Sequence, residues 1–261
     1  MQHVIRNVAA LLTTGLVFLC VSCNKKSDGL KVPGEAEANY WPDQRYCNIE
    51  FIQVTNSDRW WRFSYDAYGN PDSIITGSTS TGNHNWLFYY DTKRRMNKYI
   101  RKFDNVDMFF RYTKFFYGPD NRVTHDSSWA FGNVVNGEPA NYISSNVTTY
   151  SYDSLGRISR TYTVFAQSPE TGFEKLYTYD ANGNLIRPGI TYDNRNNIHN
   201  TNNWWRLIDK DYSKNNPYRA TSYIGYLLPR DFFATYNDGN SRYFLELEME
   251  PHATITYQCG N

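Results

Sequence analysis

Five aspartates in the chain each follow a tyrosine, and all five could take part in chemistry. They are Asp66, Asp91, Asp153, Asp180 and Asp193. Repeated carboxylates could supply an acid/base pair or a cation site. The surrounding residues favour a structural role, because an aspartate at the first position of a turn accepts the backbone N–H two residues on. We therefore expect solvated turn carboxylates here.

Metal ligands and nucleophiles show no recognisable spacing. The histidines considered are scattered: His84, His125, His199 and His252. Residues 180–184 lack the bidentate glutamate that completes a calcium loop. Residues 125–127 read His-Asp-Ser, but neighbours on a strand point to opposite faces and cannot form a triad. The sequence therefore predicts no metal, no cofactor and no catalytic residue, and a protein that is not an enzyme.

Two segments share a Trp-Trp-Arg core and could form a binding surface. Trp60 and Trp61 begin one segment, and Trp204 and Trp205 begin the other. On a strand, one ring of each pair would be exposed unless both faces of the sheet are covered. Exposed tryptophans provide stacking platforms for sugars and anchors for protein partners. We predict ligand stacking by these four residues, with packing in the core or at a barrel rim as the alternative.

Residues 1–22 have the organisation of a bacterial signal peptide. Arg6 gives a positive start, and residues 8–19 form an apolar stretch too short for a spanning helix. Residues 20–23, Cys-Val-Ser-Cys, resemble a lipobox, which implies cleavage before Cys23 and acylation of that cysteine. An ordinary signal peptide with a chance cysteine is the alternative.

Acylation at Cys23 would anchor the chain to a membrane, because burial of acyl chains contributes about 0.8 kcal/mol per CH₂ group. Asn24, the next residue, weakly resembles an outer-membrane sorting pattern. We expect an outer-membrane protein held by its lipid, on the periplasmic or the cell-surface side. Residues 23–44 are polar and predict a flexible tether, followed by one domain over residues 45–261.

Composition limits the classes of function and fold. The chain has 261 residues, a formal net charge of +1 and 17% aromatic residues. A neutral chain without a basic cluster is a poor nucleic-acid binder, so we expect no nucleic-acid partner. Abundant aromatic and turn-forming residues favour strands over helices.

Cys47 and Cys259 remain once Cys23 is assigned to lipid and Cys20 to the signal peptide. Both lie in strand-like segments near the ends of the expected domain. An even pair of cysteines in an oxidising compartment usually forms a disulfide. We predict that the two terminal strands are neighbours and bridged, which would stabilise the fold by at most about 4–5 kcal/mol.

The Tyr-Asp pairs belong to a longer repeat. Three positions after each Asp, or after Gly118 in a variant copy, stand Gly69, Arg94, Asn121, Gly156, Gly183 and Asn196. Glycine and asparagine reach positive φ at the lowest cost. The spacing predicts a type I turn with a G1 bulge at each copy.

The residues around each turn alternate between apolar and polar, which predicts strands with one aromatic face. Units of about 26 residues predict an all-β antiparallel meander of repeated hairpins, strongly curved into a half-barrel or a barrel. Residues 131–139 should form a polar loop. Residues 199–235 should be irregular and pack on the sheet, before last strands at about 240–248 and 252–259.

This repeat resembles the YD repeat of RHS-type bacterial proteins. Together with the lipobox, the terminal cysteines and residues 209–217, it most closely resembles an uncharacterised lipoprotein family of Bacteroidota-type bacteria. The resemblance covers about residues 45–259. It implies a domain of unknown function with a porin-like β fold, and it implies nothing about chemistry.

We therefore expect a lipid-anchored envelope protein that acts as a non-enzymatic binding or interaction module, with a glycan or an envelope protein as its ligand. One alternative is a carbohydrate-active hydrolase, which would need two carboxylates about 5–9.5 Å apart in a concave site. Another is a purely structural envelope component.

Overall fold

The structure is a computed structural model that describes residues 47–54, 57–80, 82–104, 107–218, 232–233, 244–245, 247 and 253–259. The expected signal peptide, the acylation site Cys23 and the tether lie outside the described residues.

The described strands form two sheets. In chain order they are β1 (Cys47–Val54), β2 (Trp60–Tyr65), β3 (Pro71–Thr76), β4 (Asn85–Tyr90), β5 (Met96–Lys102), β6 (Met108–Tyr117), β7 (Val123–Val135), β8 (Glu138–Ala140), β9 (Ser144–Tyr152), β10 (Ile158–Phe165), β11 (Ser168–Leu176), β12 (Thr191–Asn197), β13 (Asn215–Tyr218), β14 (Phe232–Phe233) and β15 (Ala253–Cys259). Twelve form one antiparallel sheet in the order β11-β10-β9-β7-β6-β5-β4-β3-β2-β1-β15, with β8 attached to β7. The predicted all-β antiparallel meander is confirmed.

This sheet is open. Along its described path it ends at β11 on one side and at β15 on the other. Closure into a barrel requires pairing between the two end strands. Instead β15 adds to the edge of β1, so the closed-barrel alternative is wrong.

Five of the six predicted turns form. At the first, Asp66 Oδ1 accepts from the backbone N–H of Tyr68 (2.8 Å), and Gly69 has a φ of 81°. The corresponding bond from the residue two positions on recurs at Asp91, Asp153 and Asp180. In the other four turns the left-handed residue is Arg94, Asn121, Gly156 and Gly183, in chain order. Register shifts beside the first four turns agree with the predicted bulges.

The sixth predicted turn, at Asp193, does not form. The segment is strand β12, which lies between β13 and β14 in a three-stranded sheet. Asn196 pairs there with Asn215. Asp193 Oδ1 accepts from the backbone N–H of Asn216 on the neighbouring strand (3.2 Å). Pairing with a distant strand has overridden the local turn preference.

The tyrosine of each of the six repeat copies donates its hydroxyl to a backbone carbonyl earlier in the chain. The hydroxyl of Tyr90 donates to the carbonyl of Pro71 (2.6 Å), the first residue after the preceding turn. Equivalent bonds join Tyr65 to Ile49, Tyr117 to Met96, Tyr152 to Val123, Tyr179 to Ile158, and Tyr192 to Leu185. We refer to these six tyrosines as the tyrosine ladder. It fixes successive hairpins side by side.

The core lies on one side of the large sheet, here named the inner face. It carries Trp61 and Phe63 on β2 and Phe88 on β4, each at most 6% exposed. Helix α1 (Asn203–Asp209) packs on this face. The fully buried ring of Trp205 lies edge-on to Phe63 (6.0 Å between centroids) and Phe88 (5.6 Å).

The described part of segment 199–235 packs on the sheet through α1, as predicted, but much of it is regular. A 3₁₀ turn (Ile198–Thr201) leads into α1. Asn202 caps the helix, because its Oδ1 accepts from the backbone N–H of Trp204 (3.0 Å). Lys210 ends it with a φ of 57°. The expectation of an irregular segment is therefore wrong for these residues.

The polar loop predicted at 131–139 is a hairpin. Asn136 and Gly137 have φ of 52° and 78°, the pattern of a tight two-residue hairpin turn. Strand β8 then returns along β7. The hydroxyl of Tyr112, which points to the opposite side of the sheet from the core, donates to the carbonyl of Gly137 (2.7 Å). The hairpin therefore covers part of this side, here named the outer face.

The last strand returns to the first, as predicted. β15 pairs with β1, and the register places Cys47 opposite Cys259. The described residues of the strand predicted at 240–248 form a turn instead, in which the backbone N–H of Leu247 donates to the carbonyl of Phe244 (2.9 Å). Phe244 is fully buried beside Trp205.

Candidate functional site

The repeated Tyr-Asp motif serves the fold. Besides their turn bonds, Asp91 and Asp153 form ion pairs with Arg95 and Arg157 (2.7 Å each). Burial raises the pKa of Asp91, but the backbone N–H and the guanidinium of Arg95 outweigh it and hold that pKa below its usual value. These carboxylates are engaged within their own turns, in agreement with the expected structural role.

Three of the four tryptophans predicted to stack on a ligand are buried. Trp61 and Trp205 are 0% exposed and Trp204 is 4% exposed. Trp61 Nε1 donates to Asn83 Oδ1 (2.7 Å). Trp204 lies 5.9 Å from the ring of Tyr90 and borders a cavity of about 30 Å³, room for about one water molecule. These rings are packed against protein, as in the core-packing alternative.

Trp60 is half-buried on the outer face. It stacks on Phe51 (5.7 Å), and the guanidinium of Arg62 lies 5.6 Å from its ring. A Cβ added to Gly77 would lie 2.7 Å from Trp60 Nε1, so the ring covers the glycine closely. Ligand stacking stays a prediction for this residue, which also has a packing role.

A polar cavity of about 110 Å³ lies between the inner face and the C-terminal end of α1. Strands β4, β5, β6, β7 and β9 form its floor, and Ile208, Asp209 and Lys210 border it from the end of α1. The floor includes hydroxyl and amide side chains from four successive strands: Tyr99, Thr113, Ser128, Asn146 and Thr148. Such a volume accommodates several water molecules or one small polar ligand.

Two arginines stand side by side in this floor. Arg101 on β5 is directly opposite Arg111 on β6. Arg101 is 3% exposed, and its guanidinium lies 4.6 Å from the ring of Trp86 and 4.7 Å from that of Phe110. Arg111 is half-buried. Arg101 Nη2 also lies 3.4 Å from His84 Nδ1, so this guanidinium has a polar neighbour besides the two rings.

Asp126 lies in the same floor and is 4% exposed. Its Oδ1 accepts from the hydroxyl of Ser128 (3.1 Å), and its Oδ2 accepts from the hydroxyl of Tyr150. Burial, followed by the negative charge of Asp126, raises the pKa of Tyr150 well above its usual value. Tyr150 therefore stays protonated and donates.

The opposite wall is also charged. Asp209 Oδ2 lies 2.6 Å from His199 Nε2 and accepts from the backbone N–H of Leu245 (2.7 Å). The ammonium of Lys210 lies 5.6 Å from the ring of Tyr150. Lys210 holds its left-handed φ without being glycine, which costs about 1 kcal/mol.

Sequence reasoning missed Arg101, Arg111, Asp126 and Lys210. A signal was present, because β6, β7 and β9 carry Thr113, Ser128 and Thr148 where β2 and β4 carry aromatic residues. Recognising it requires the strand register. Asp126 was considered only with its chain neighbours, and it does point to the face opposite to theirs, as predicted.

The described part of the chain contains no cluster of three or more residues suited to hold a metal ion. Among the same residues, no helix has the length and apolar character needed to cross a membrane. No protein-family model matches the chain, and the search of curated proteins gives no significant match. The site must therefore be interpreted from its own geometry.

Proposed function

We propose that this protein is a lipid-anchored, non-enzymatic binding module of the bacterial envelope, and that its ligand is a glycan whose terminal sugar enters the polar cavity. The observation that carries the proposal is the cavity itself. Buried hydroxyl and amide groups cost stability unless they form hydrogen bonds, and a sheet built for stability alone would carry apolar residues there. Sugar hydroxyls match the donors and acceptors that line it.

Attachment to the membrane is proposed from the sequence of residues 20–23, with Cys23 as the lipidated residue. The outer membrane is proposed as the location from the same segment. We also propose that the chain belongs with YD-repeat proteins. The five turns with a left-handed residue three positions after the turn start support that relationship.

A disulfide between Cys47 and Cys259 is proposed as well. Its support is the register of β1 and β15, since directly opposite residues in antiparallel strands have Cα atoms about 4.5–5.5 Å apart, within reach of a disulfide. The bridge would hold together the two chain ends of the sheet.

Blocking the cavity tests the binding proposal. Asn146→Trp would place a large ring among the lining residues, and Thr149→Trp would place the same ring on the outer face of the same strand. Binding of a panel of neutral and acidic mono- and disaccharides by calorimetry should give at least one ligand, lost in the first variant and kept in the second. No binding by the parent protein, or equal binding by both variants, would contradict the proposal.

A carbohydrate-active hydrolase is the second candidate, because two carboxylates, Asp126 and Asp209, line the same cavity. It ranks below binding because both carboxylates already accept protein hydrogen bonds. Release of reducing sugar by the parent protein, abolished by both Asp126→Asn and Asp209→Asn, would favour the hydrolase. Absence of turnover with a sugar that binds would favour the binding module.

A further inference from the structure

One cross-strand row of the inner face connects the polar cavity to the surface. The register places five residues side by side on neighbouring strands: Tyr99 on β5, Thr113 on β6, Ser128 on β7, Asn146 on β9 and Phe165 on β10. The first four line the cavity. The first three are at most 7% exposed, Asn146 is half-buried, and Phe165 is 39% exposed. The row therefore becomes more accessible toward β10, where it changes from polar to aromatic.

Phe165 has an exposed aromatic neighbour on the next strand. Phe173 on β11 is directly opposite Thr163, whose hydroxyl lies 3.0 Å from that of the cavity residue Thr148, so Phe173 also lies on the inner face. The rings of Phe165 and Phe173 are stacked, with 6.0 Å between their centroids and 30° between their planes. Phe173 is 51% exposed. We refer to these two residues as the phenylalanine pair.

The phenylalanine pair contrasts with the aromatic residue on the other side of β10. Tyr162 lies on the outer face there, and its ring covers Gly172 so closely that an added Cβ would collide with the hydroxyl end of the ring. That ring packs against backbone, whereas the phenylalanine pair is open to water. On the inner face, the pair is bordered by the polar residues Asn146 and Thr163. An exposed apolar surface with a polar border is typical of a ligand-binding groove.

We infer that the phenylalanine pair is a second subsite of the same binding site, where it stacks on the sugar next to the terminal sugar of the glycan. This inference rests on the proposed glycan-binding function. Neighbouring strands are about 4.8 Å apart, so Phe165 lies about one strand spacing from Asn146, and Phe173 about two. A sugar linked to one in the cavity can therefore reach both rings.

The composition of the row favours a sugar chain over a purely apolar ligand. None of its five members is charged, and together they offer hydroxyl groups, one amide and an exposed ring. A pyranose ring has C–H groups on its faces and hydroxyls around its edge. It can therefore stack on an aromatic ring while its hydroxyls stay in water or bind polar side chains.

The length of the ligand tests the inference with the purified protein. Calorimetry would compare the methyl glycosides of glucose, galactose, mannose and N-acetylglucosamine with the methyl glycoside of the homodisaccharide of each. For a sugar that binds, the disaccharide should bind about 3- to 10-fold more tightly than the monosaccharide, the range that one aromatic contact provides.

Phe165→Ser should bring the affinity ratio of disaccharide to monosaccharide close to one. Phe165→Tyr keeps the ring and should retain the ratio. Phe116→Ser is the matched control, because Phe116 is also 39% exposed but lies on the outer face, where it stacks on His125. It should leave the ratio unchanged. Thermal unfolding should be cooperative in all three variants, since the substituted rings are exposed.

Each outcome has a distinct meaning. Equal affinity for both lengths of ligand, or a ratio that Phe165→Ser does not change, overturns the second subsite and leaves glycan binding standing. Absence of binding by every sugar overturns the proposed function and the inference with it. A dimer in sedimentation that Phe165→Ser dissociates also overturns the inference, because a second copy of the chain would then cover the phenylalanine pair.

Discussion

The inner face of the sheet has two halves of different composition. On β2 to β4 it carries Trp61, Ile74 and Trp86, and Trp205 of α1 packs over this half. On β6, β7 and β9 the corresponding positions carry Thr113, Ser128 and Thr148, each at most 7% exposed. Both halves are buried, and the polar cavity lies over the second half, where Trp86 of the first half forms its border.

The difference separates two tasks in one continuous sheet. Burial of large rings stabilises the apolar half by roughly 25 cal/mol per Å² of apolar surface. The polar half gains less, because its hydroxyls only exchange water for neighbours such as the pair Thr113 and Ser128 (2.8 Å). We interpret the first half as the part that holds the fold and the second as the part that binds.

Alkaline pH should lower the free energy of unfolding more than any single substitution. It ionises the tyrosine ladder, which runs through both halves of the sheet. Burial, the main cause, raises the pKa of Tyr65, Tyr90, Tyr117, Tyr152 and Tyr179 above the usual value near 10. A tyrosine is neutral when protonated, so its contribution to stability is fully present below about pH 10. Above that pH the stabilisation is lost, because the tyrosines of the unfolded chain ionise at a lower pH than the buried ones. Each tyrosine then lowers the free energy of unfolding by about 1.4 kcal/mol per pH unit.

We therefore expect the free energy of unfolding, measured in urea, to fall by several kcal/mol within roughly one pH unit above pH 10. Tyrosinate absorbance should rise together with loss of the fold. Gradual ionisation of tyrosines in a protein that stays folded would show that the ladder is not buried as described.

Trp205→Ala should produce the largest loss among single substitutions in the apolar half. It removes a fully buried ring that contacts Phe63, Phe88 and Phe244, and should lower the free energy of unfolding by about 3–5 kcal/mol. Trp60→Ala on the outer face is the control, with an expected loss of about 1–2 kcal/mol. If urea unfolding gave similar losses of stability for both variants, the prediction that the buried ring of Trp205 contributes more than that of Trp60 would be contradicted.

Tyr150→Phe probes the polar half. It removes the hydroxyl that donates to Asp126, and a hydrogen bond to a charged group contributes about 1.5–3 kcal/mol. Tyr162→Phe on the neighbouring strand is the matched control, because the hydroxyl of Tyr162 makes no hydrogen bond with the described residues. In the same urea experiment, Tyr162→Phe should lower the free energy of unfolding by less than about 0.5 kcal/mol. Equal effects would mean that the Asp126 network contributes nothing.

The turns should give the smallest effects. A Cβ added at Gly69 meets nothing within 4 Å, so Gly69→Ala should cost only its positive φ, about 1 kcal/mol. Arg94→Gly should change stability in the opposite sense by no more than about 1 kcal/mol, because it also loses the contact of Arg94 with the ring of Tyr68 (3.5 Å). Thermal unfolding of both variants tests whether this turn position favours glycine. A shift of the melting temperature in the same direction for both variants would contradict that preference.

The fold could be predicted largely from sequence because its information is local. Gly69, Asn121 and Gly183 each mark a turn within a few residues of the aspartate or glycine that begins it. The exception was Asn196, whose pairing partner is distant in the chain. Local chemistry also identified the strands of both cysteines, since each segment alternates as a strand.

The candidate site could not be predicted in the same way. Arg101 and Arg111 become a pair only through the register of β5 and β6. Asp209 and Lys210 join them only because α1 packs over the inner face. The tryptophan pairs were more conspicuous in the sequence, but Trp204 and Trp205 lie in a helix, where the strand argument for one exposed ring does not apply.

An experimental structure of the protein with the tightest-binding sugar would test the division of the inner face most directly. The ligand is expected in the polar half, with its ring within the cavity beside Asn146 and Lys210. A ligand bound on the outer face beside Trp60, with the cavity unchanged, would contradict the account.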